Sequence, residues 1–326
     1  MTTNPSAYSN IKARKEEFLL QSLSSEQLNN LHDQVLKDTF LKAFHMVRKE
    51  IGDPPCEFNW FVLGSAGRFE QGFISDQDHG IVYHSDTNEA ARYFLTLGKE
   101  LSNGLFEVGY PFCDGKVMSS NPLWCKSLVG WKEQLHQWAL EESLDSIRYL
   151  QIFYDARSLM GECHYIEQLK QLIIRHHLAY PHLLIRFLDN IRHIKKSVGV
   201  FGQVFVQQTG PYAGSIDLKH SAFLPYVNAI RLLAIKEGIL ESSTLTRFLL
   251  LRQSARYQEV LRPFEESFRA LLDFRLSTFK TNNTYADTHY LHIKNLNPDQ
   301  KKIIKQILKD GEKLHHFVQK CIEKGC

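Results

Sequence analysis

Residues 58–84 limit what this chain of 326 residues can fold into more than any other stretch. Phe58-Asn59-Trp60-Phe61-Val62-Leu63 and His79-Gly80-Ile81-Val82-Tyr83-His84 are aromatic and β-branched runs of strand type. Between them stand Gly64-Ser65-Ala66-Gly67 and Ser75-Asp76-Gln77-Asp78. A helix follows between Thr87 and Val108, with Ala91, Phe94, Leu95, Leu101 and Leu105 on one side, and Lys116-Val117-Met118 reads as a third short strand. Strand, turn, short helix, strand, helix and strand in that order predict an α/β domain.

The flanking chain is helical in pattern. Ser25-Glu26 starts a helix carrying Leu28, Leu31, Val35, Phe40, Phe44 and Val47 at three- and four-residue steps, and it ends at Gly52. Its His32-Asp33 doublet reads as a solvated face. Residues 123–180 read as helical, with Trp124, Trp131 and Trp138 as core packing. From residue 180 onward helical patterning dominates. Asn297 and Pro298 open a final helix with Ile303, Ile304, Ile307, Leu308, Leu314, Phe317 and Val318 as an apolar stripe. The histidines of His176-His177 and His315-His316 read as helix surface, and His289 with His292 as a pair lacking a third metal ligand.

Apolar residues at 43% and charged residues at 23% exclude disorder and coiled-coil rods. The longest uncharged apolar run, 58–67, is far short of the roughly 20 residues a membrane span needs. With no apolar segment ahead of the N-terminal charges, the expected location is the cytoplasm. The six cysteines form no Cys-x-x-Cys pair and read as reduced thiols, Cys321 and Cys326 being the pair open to oxidation. Charge is uneven: residues 1–170 hold 16 Lys+Arg against 23 Asp+Glu, a net −7, while 171–326 hold 23 against 13, a net +10. Charge alone favours two independently solvated surfaces. Nucleic acid is disfavoured as a partner, since +10 is modest for such a binder.

The chemistry concentrates in residues 64–78. Gly64-Ser65 at a strand end lets the backbone approach a phosphate, and the Ser65 hydroxyl adds a donor. Asp76 and Asp78, two apart at a strand entry, point their carboxylates to one face. Such a pair suits Mg²⁺ (or Mn²⁺), which takes oxygen ligands and keeps positions open for a nucleoside triphosphate. Asp114, before Lys116, is the best-placed third carboxylate, with Asp155 and Glu107 as alternatives; in Cys113-Asp114-Gly115 it equally reads as a turn residue. Lys219, Arg231 and the Arg192/Lys195/Lys196 cluster are candidates for gripping phosphate.

Gly64-Ser65-Ala66-Gly67-Arg68-Phe69-Glu70 followed by Ser75-Asp76-Gln77-Asp78 resembles the catalytic domains of the bacterial PII-protein uridylyltransferase and the glutamine synthetase adenylyltransferase, in the polymerase-β-like superfamily. Leu105-Phe106-Glu107-Val108-Gly109 and Asp155-Ala156-Arg157 continue the resemblance in order. Ile216-Asp217-Leu218-Lys219-His220, Pro225 and 229–234 are similar to a bacterial family of nucleotidyltransferases with a helical substrate-binding domain, often found behind sensor modules. The residues before 58 in this sequence number too few for such a module, so none is expected within them. The resemblance implies an N-terminal helical segment (1–52), an α/β (α+β) nucleotidyltransferase domain with a small mixed sheet (53–165), and an all-α helical bundle that binds substrate (166–326). It implies catalytic Asp76, Asp78 and Asp114, nucleotide binding by Gly64, Ser65, Arg68 and Lys219, and transfer of a nucleoside monophosphate from ATP or UTP to a hydroxyl on a regulatory protein. The alternative is an inactive nucleotide-binding module in signal transduction. Oligomeric state is not legible.

Overall fold

The computed structural model describes residues 6–192, 197–199, 203–279 and 284–324. In chain order the elements are α1 (Ser9–Leu19), α2 (Ser25–Ile51), β1 (Phe58–Val62), α3 (Gly64–Gly67), β2 (His79–Tyr83), α4 (Asn88–Glu107), β3 (Cys125–Ser127), α5 (Leu128–Glu141) and α6 (Leu144–Tyr154). There follow β4 (Arg157–Gly161), α7 (His164–Ala179), α8 (His182–Ile191), β5 (Ser215–Asp217), α9 (Leu224–Lys236), α10 (Thr244–Leu251), α11 (Arg262–Thr278), β6 (Tyr290–His292) and α12 (Pro298–Lys324). Two compact units result: Met1–Leu140 with Asp155–Ile173, and Glu141–Tyr154 with Ile174–Cys326. No helix among the described residues is long and apolar enough to cross a membrane.

In the first unit a mixed sheet runs β3-β2-β1-β4. β1 pairs antiparallel with β2 and β4, and β2 pairs parallel with β3. Burial on both faces explains why β1 and β2 are almost continuously apolar. On one face Trp60 stacks on Phe40 of α2 at 5.0 Å, within a core that includes Leu36, Ala43, Phe94, Leu97 and Leu101. On the other, Phe61 meets Trp131 edge to face at 5.7 Å, and Trp131 donates to the Ile81 carbonyl at 2.9 Å. Trp124, Trp131 and Trp138 form one buried cluster, as expected of core packing. The Ser24 side chain and Gln27 form a capping box at the start of α2.

Three local expectations fail here. Residues 116–118 form no strand: Lys116 sits at φ +54°, a left-handed conformation that breaks an extended run. The third strand is β3, and β4 lies within a stretch that reads as helical. Both depend on pairing with β2 and β1 and carry little strand pattern of their own.

The second unit is helical, with a short antiparallel ladder between β5 and β6. At its centre α9 is buried almost all round from Pro225 to Ile235, the pattern of a helix enclosed by others. It packs with α8, α10 and α12. Tyr226 donates to the Ile307 carbonyl at 2.7 Å, and the fully buried Arg247 donates to the carbonyls of Glu241 and Tyr154 at 2.6 and 3.1 Å. Asn297 caps α12 as read, accepting from Gln300 N at 2.9 Å. His177 and His315 are buried, against the surface reading, because their helices present those positions to the core. Cys56, Cys113, Cys125 and Cys163 are free thiols, whereas Cys321, one of the pair read as open to oxidation, is disulfide-bonded. Cys326, Lys195 and Lys196 lie outside the described residues.

Candidate active site

Residues 75–79 alternate in burial. Ser75, Gln77 and His79 are buried, while Asp76 and Asp78 on the opposite side are partly exposed. The buried side is locked by hydrogen bonds. Gln77 Nε2 donates to the carbonyls of Ser102 and Tyr110 at 3.1 and 3.0 Å, and its Oε1 lies 3.0 Å from His79 Nε2. Trp60 Nε1, which can only donate, reaches His79 Nδ1 at 3.2 Å, so Nδ1 accepts and Nε2 carries the hydrogen given to Gln77. Burial pushes the imidazole pKa down to about 3, which keeps it neutral. The backbone is held too, by Leu63 N to Asp78 O at 2.9 Å, Gln77 N to Pro111 O at 3.1 Å and His79 N to Val117 O at 3.0 Å.

The turn after β1 is fitted against this segment. Gly64 has φ +54°, and a Cβ there would lie 2.1 Å from Asp78 Oδ2, so glycine is needed both for the backbone and for the carboxylate's room. A Cβ on Gly67 would lie 2.2 Å from the Asp155 carbonyl. The Ser65 and Ser75 hydroxyls are 3.0 Å apart. Phe69 also has a left-handed φ, +58°, and its ring lies under the Arg157 guanidinium at 3.8 Å. Arg157 clamps Asp33 through two bonds of 2.8 and 2.6 Å and donates to the Ala66 carbonyl at 3.0 Å. His32 is fully buried, with its nitrogens 2.7 Å from the Tyr110 hydroxyl and 2.9 Å from the Gly72 carbonyl. The His32-Asp33 doublet is therefore no solvated face; it pins the loop that carries the site.

One oxygen each from Asp76 and Asp78 and the sulfur of Cys113 lie within 4.8 Å of one another, an arrangement able to hold a metal ion. The Cys113 thiol hydrogen-bonds the Asp78 carboxylate. Burial, then the charges of Asp78 and Asp76, pushes its pKa up. The donor set fits a divalent cation: two carboxylates converge from one strand entry, with the glycine turn alongside.

The three candidate third acids stand elsewhere. Asp114 is exposed in a turn, Asp155 is buried in an ion pair with Arg68, and Glu107 is exposed and bonded to the Ser6 hydroxyl. Arg68 itself donates to Glu70 and Asp155, both at 2.8 Å. Burial works against its charge, but the two carboxylates outweigh it and raise its pKa. This differs from the phosphate-holding expectation, because the guanidinium is committed to its own turn. Lys219 belongs to the second unit, exposed at the start of a π-helical turn over 219–223, where π-turns are frequent at functional sites. Arg231 is buried and donates to Asn228 at 2.8 Å, and Arg192 pairs with Asp189 and Glu323. His289 and His292 join no metal-capable group among the described residues. Cys113 is not among the residues the sequence marks for chemistry; its position next to Asp114 is the one available signal.

Residues 10–145 match the model of the family described as "Putative nucleotidyltransferase DUF294". Residues 181–322 match the model described as "Putative nucleotidyltransferase substrate binding domain". No curated protein matches the chain.

Proposed function

Given that the chain belongs to the DUF294 family of nucleotidyltransferases, we propose that it moves a nucleoside monophosphate from ATP or UTP to a hydroxyl on an acceptor protein, releasing pyrophosphate. The observation that carries this reading is the convergence of Asp76 and Asp78 beside a turn whose Gly64, lacking a Cβ, leaves room for the Asp78 carboxylate. Asp76 and Asp78 hold Mg²⁺ or Mn²⁺ in this proposal. Such an ion, when bound, neutralises triphosphate charge and makes the α-phosphorus a better electrophile.

The chain's own residues supply placement. Gly64 admits the phosphate close to the backbone and Ser65 donates its hydroxyl to a phosphate oxygen. The acceptor hydroxyl attacks the α-phosphorus in line and gives up its proton to solvent, while the bond from that phosphorus to the bridging oxygen of the leaving pyrophosphate breaks. Arg68 acts as a positioning residue, tying the turn to Asp155. Lys219, exposed in the substrate-binding unit, is proposed to grip nucleotide phosphate. Transfer is assigned to the first unit, which takes in most of residues 53–165 but not Glu141–Tyr154, and acceptor recognition to the second, which takes in most of 166–326.

A second reading, nucleotide sensing without transfer, is favoured by one observation: the third metal-capable side chain is a thiol where a carboxylate was expected. Incubating the protein with each α-labelled nucleoside triphosphate, Mg²⁺ and a cell lysate separates the two. Label on a protein band, with wild type and not with Asp76→Asn/Asp78→Asn, is the expected result. Nucleotide binding in calorimetry without any labelled band would favour sensing.

A further inference from the structure

Residues 111–117 run beside the entry to β2. Phe112 bridges Gln77 in the parallel sense, and Val117 accepts from His79 N at 3.0 Å. This course turns Asp114 outward into an exposed turn and carries the Cys113 sulfur to the two carboxylates. Asp78 is thereby boxed between the Gly64 backbone and the Cys113 thiol. Asp76, Asp78 and Cys113 thus offer two hard oxygens and one soft sulfur, with an open side. An all-oxygen site suits Mg²⁺, whereas adding a thiolate shifts preference toward borderline and soft dications. Three protein ligands plus an open position is also the pattern of non-structural zinc sites.

We propose that Asp76, Asp78 and Cys113 together bind a thiophilic divalent cation of the zinc(II)–cadmium(II) class, and that this ion excludes Mg²⁺ from the same carboxylates and so switches nucleotidyl transfer off. The inference rests on the proposed function only for its inhibitory consequence; the metal site stands on the three side chains. On binding, the Cys113 thiol gives its proton to solvent and its sulfur becomes a ligand. One thiolate and two carboxylates against one dication leave the site with a net charge of −1, and solvent takes the open position.

The test uses the full-length, metal-free protein titrated with Cd²⁺ and followed by the ultraviolet thiolate-to-cadmium charge-transfer band. The expected result is a band saturating at about one Cd²⁺ per chain, kept in Cys163→Ser and lost in both Cys113→Ser and Asp76→Asn/Asp78→Asn. In calorimetry, Cys113→Ser weakens Zn²⁺ binding at least ~10-fold while changing Mg²⁺ binding less than about twofold. Cys113→Ala, checked by thermal melting, shows that any loss is not unfolding. A wild-type protein without the band, or a Cys113→Ser protein that keeps it, overturns the proposal. The labelling assay is read separately: transfer that Zn²⁺ leaves unchanged in wild type overturns the switch. Absence of transfer under all conditions defeats the nucleotidyl reading and leaves the cadmium result standing.

Discussion

The two sides of residues 75–79 belong to one strand entry yet are built on opposite principles. Gln77 and His79 are sealed in and have named partners from β1, α4 and the loop after it. Asp76 and Asp78 carry two like charges close together beside a thiol, half open to solvent. Like charges held together are unfavourable, so the sealed side must supply the rigidity that keeps the open side converged. The contrast separates a stability role from a chemical one within five residues.

Asp76→Asn/Asp78→Asn should break the contrast most completely. Removing both charges lowers transfer by ~10³-fold or more, since the charge stabilisation a metal site supplies is several kcal/mol. Stability measured by urea unfolding should change by less than about 0.5 kcal/mol, or rise, because partly exposed repelling charges contribute little to the fold. A large loss of stability in that variant would show the carboxylates to be structural.

Gln77→Ala attacks the other side. It leaves two buried carbonyls and the His79 N–H without their partner, so urea unfolding should show a loss of about 2–4 kcal/mol. Gly64→Ala falls between. The positive φ costs about 1–2 kcal/mol for any L side chain, and Asp78 Oδ2 must move away from the new methyl group. Transfer should fall ~100-fold, the scale of a misplacement of about 1 Å. Equal activity in Gly64→Ala and wild type would mean that the Asp78 position does not matter.

What could be read in advance follows from how local each signal is. β1 and β2 announce themselves as continuous aromatic and β-branched runs, the paired aspartates through period-2 spacing and the glycine turn through a four-residue punctuation, and the α2 and α12 caps need only a few adjacent residues. β3 and β4 were missed because three to five residues without strong alternation become strands only when β2 or β1 lies alongside. The same holds for side chains. His32 and Asp33 look like a polar helix face until Tyr110, Gly72 and Arg157 arrive from distant sequence. Arg68 looked like a free phosphate ligand because Asp155 stands 87 positions away in the chain. Cys113 carries no signal of its own for the same reason, since its chemistry depends on two carboxylates in another segment.

The smallest expected effect gives the finest cut, because Ser65 and Ser75 share one hydrogen bond across the boundary between the two sides. Ser65 is partly exposed at the turn proposed to receive phosphate, and Ser75 is buried on the sealed side. Ser65→Ala and Ser75→Ala each delete that bond, so each should cost about 0.5–1.5 kcal/mol in urea unfolding. Only Ser65→Ala also removes a donor facing the proposed triphosphate. Its KM for nucleotide should rise roughly 3–10-fold, an energy of one ordinary hydrogen bond, while Ser75→Ala keeps the wild-type KM. Equal KM shifts in the two variants would place the effect in the shared bond and its hold on the turn. Ser65 would then be part of the sealed side, and the phosphate contacts would have to come from backbone alone.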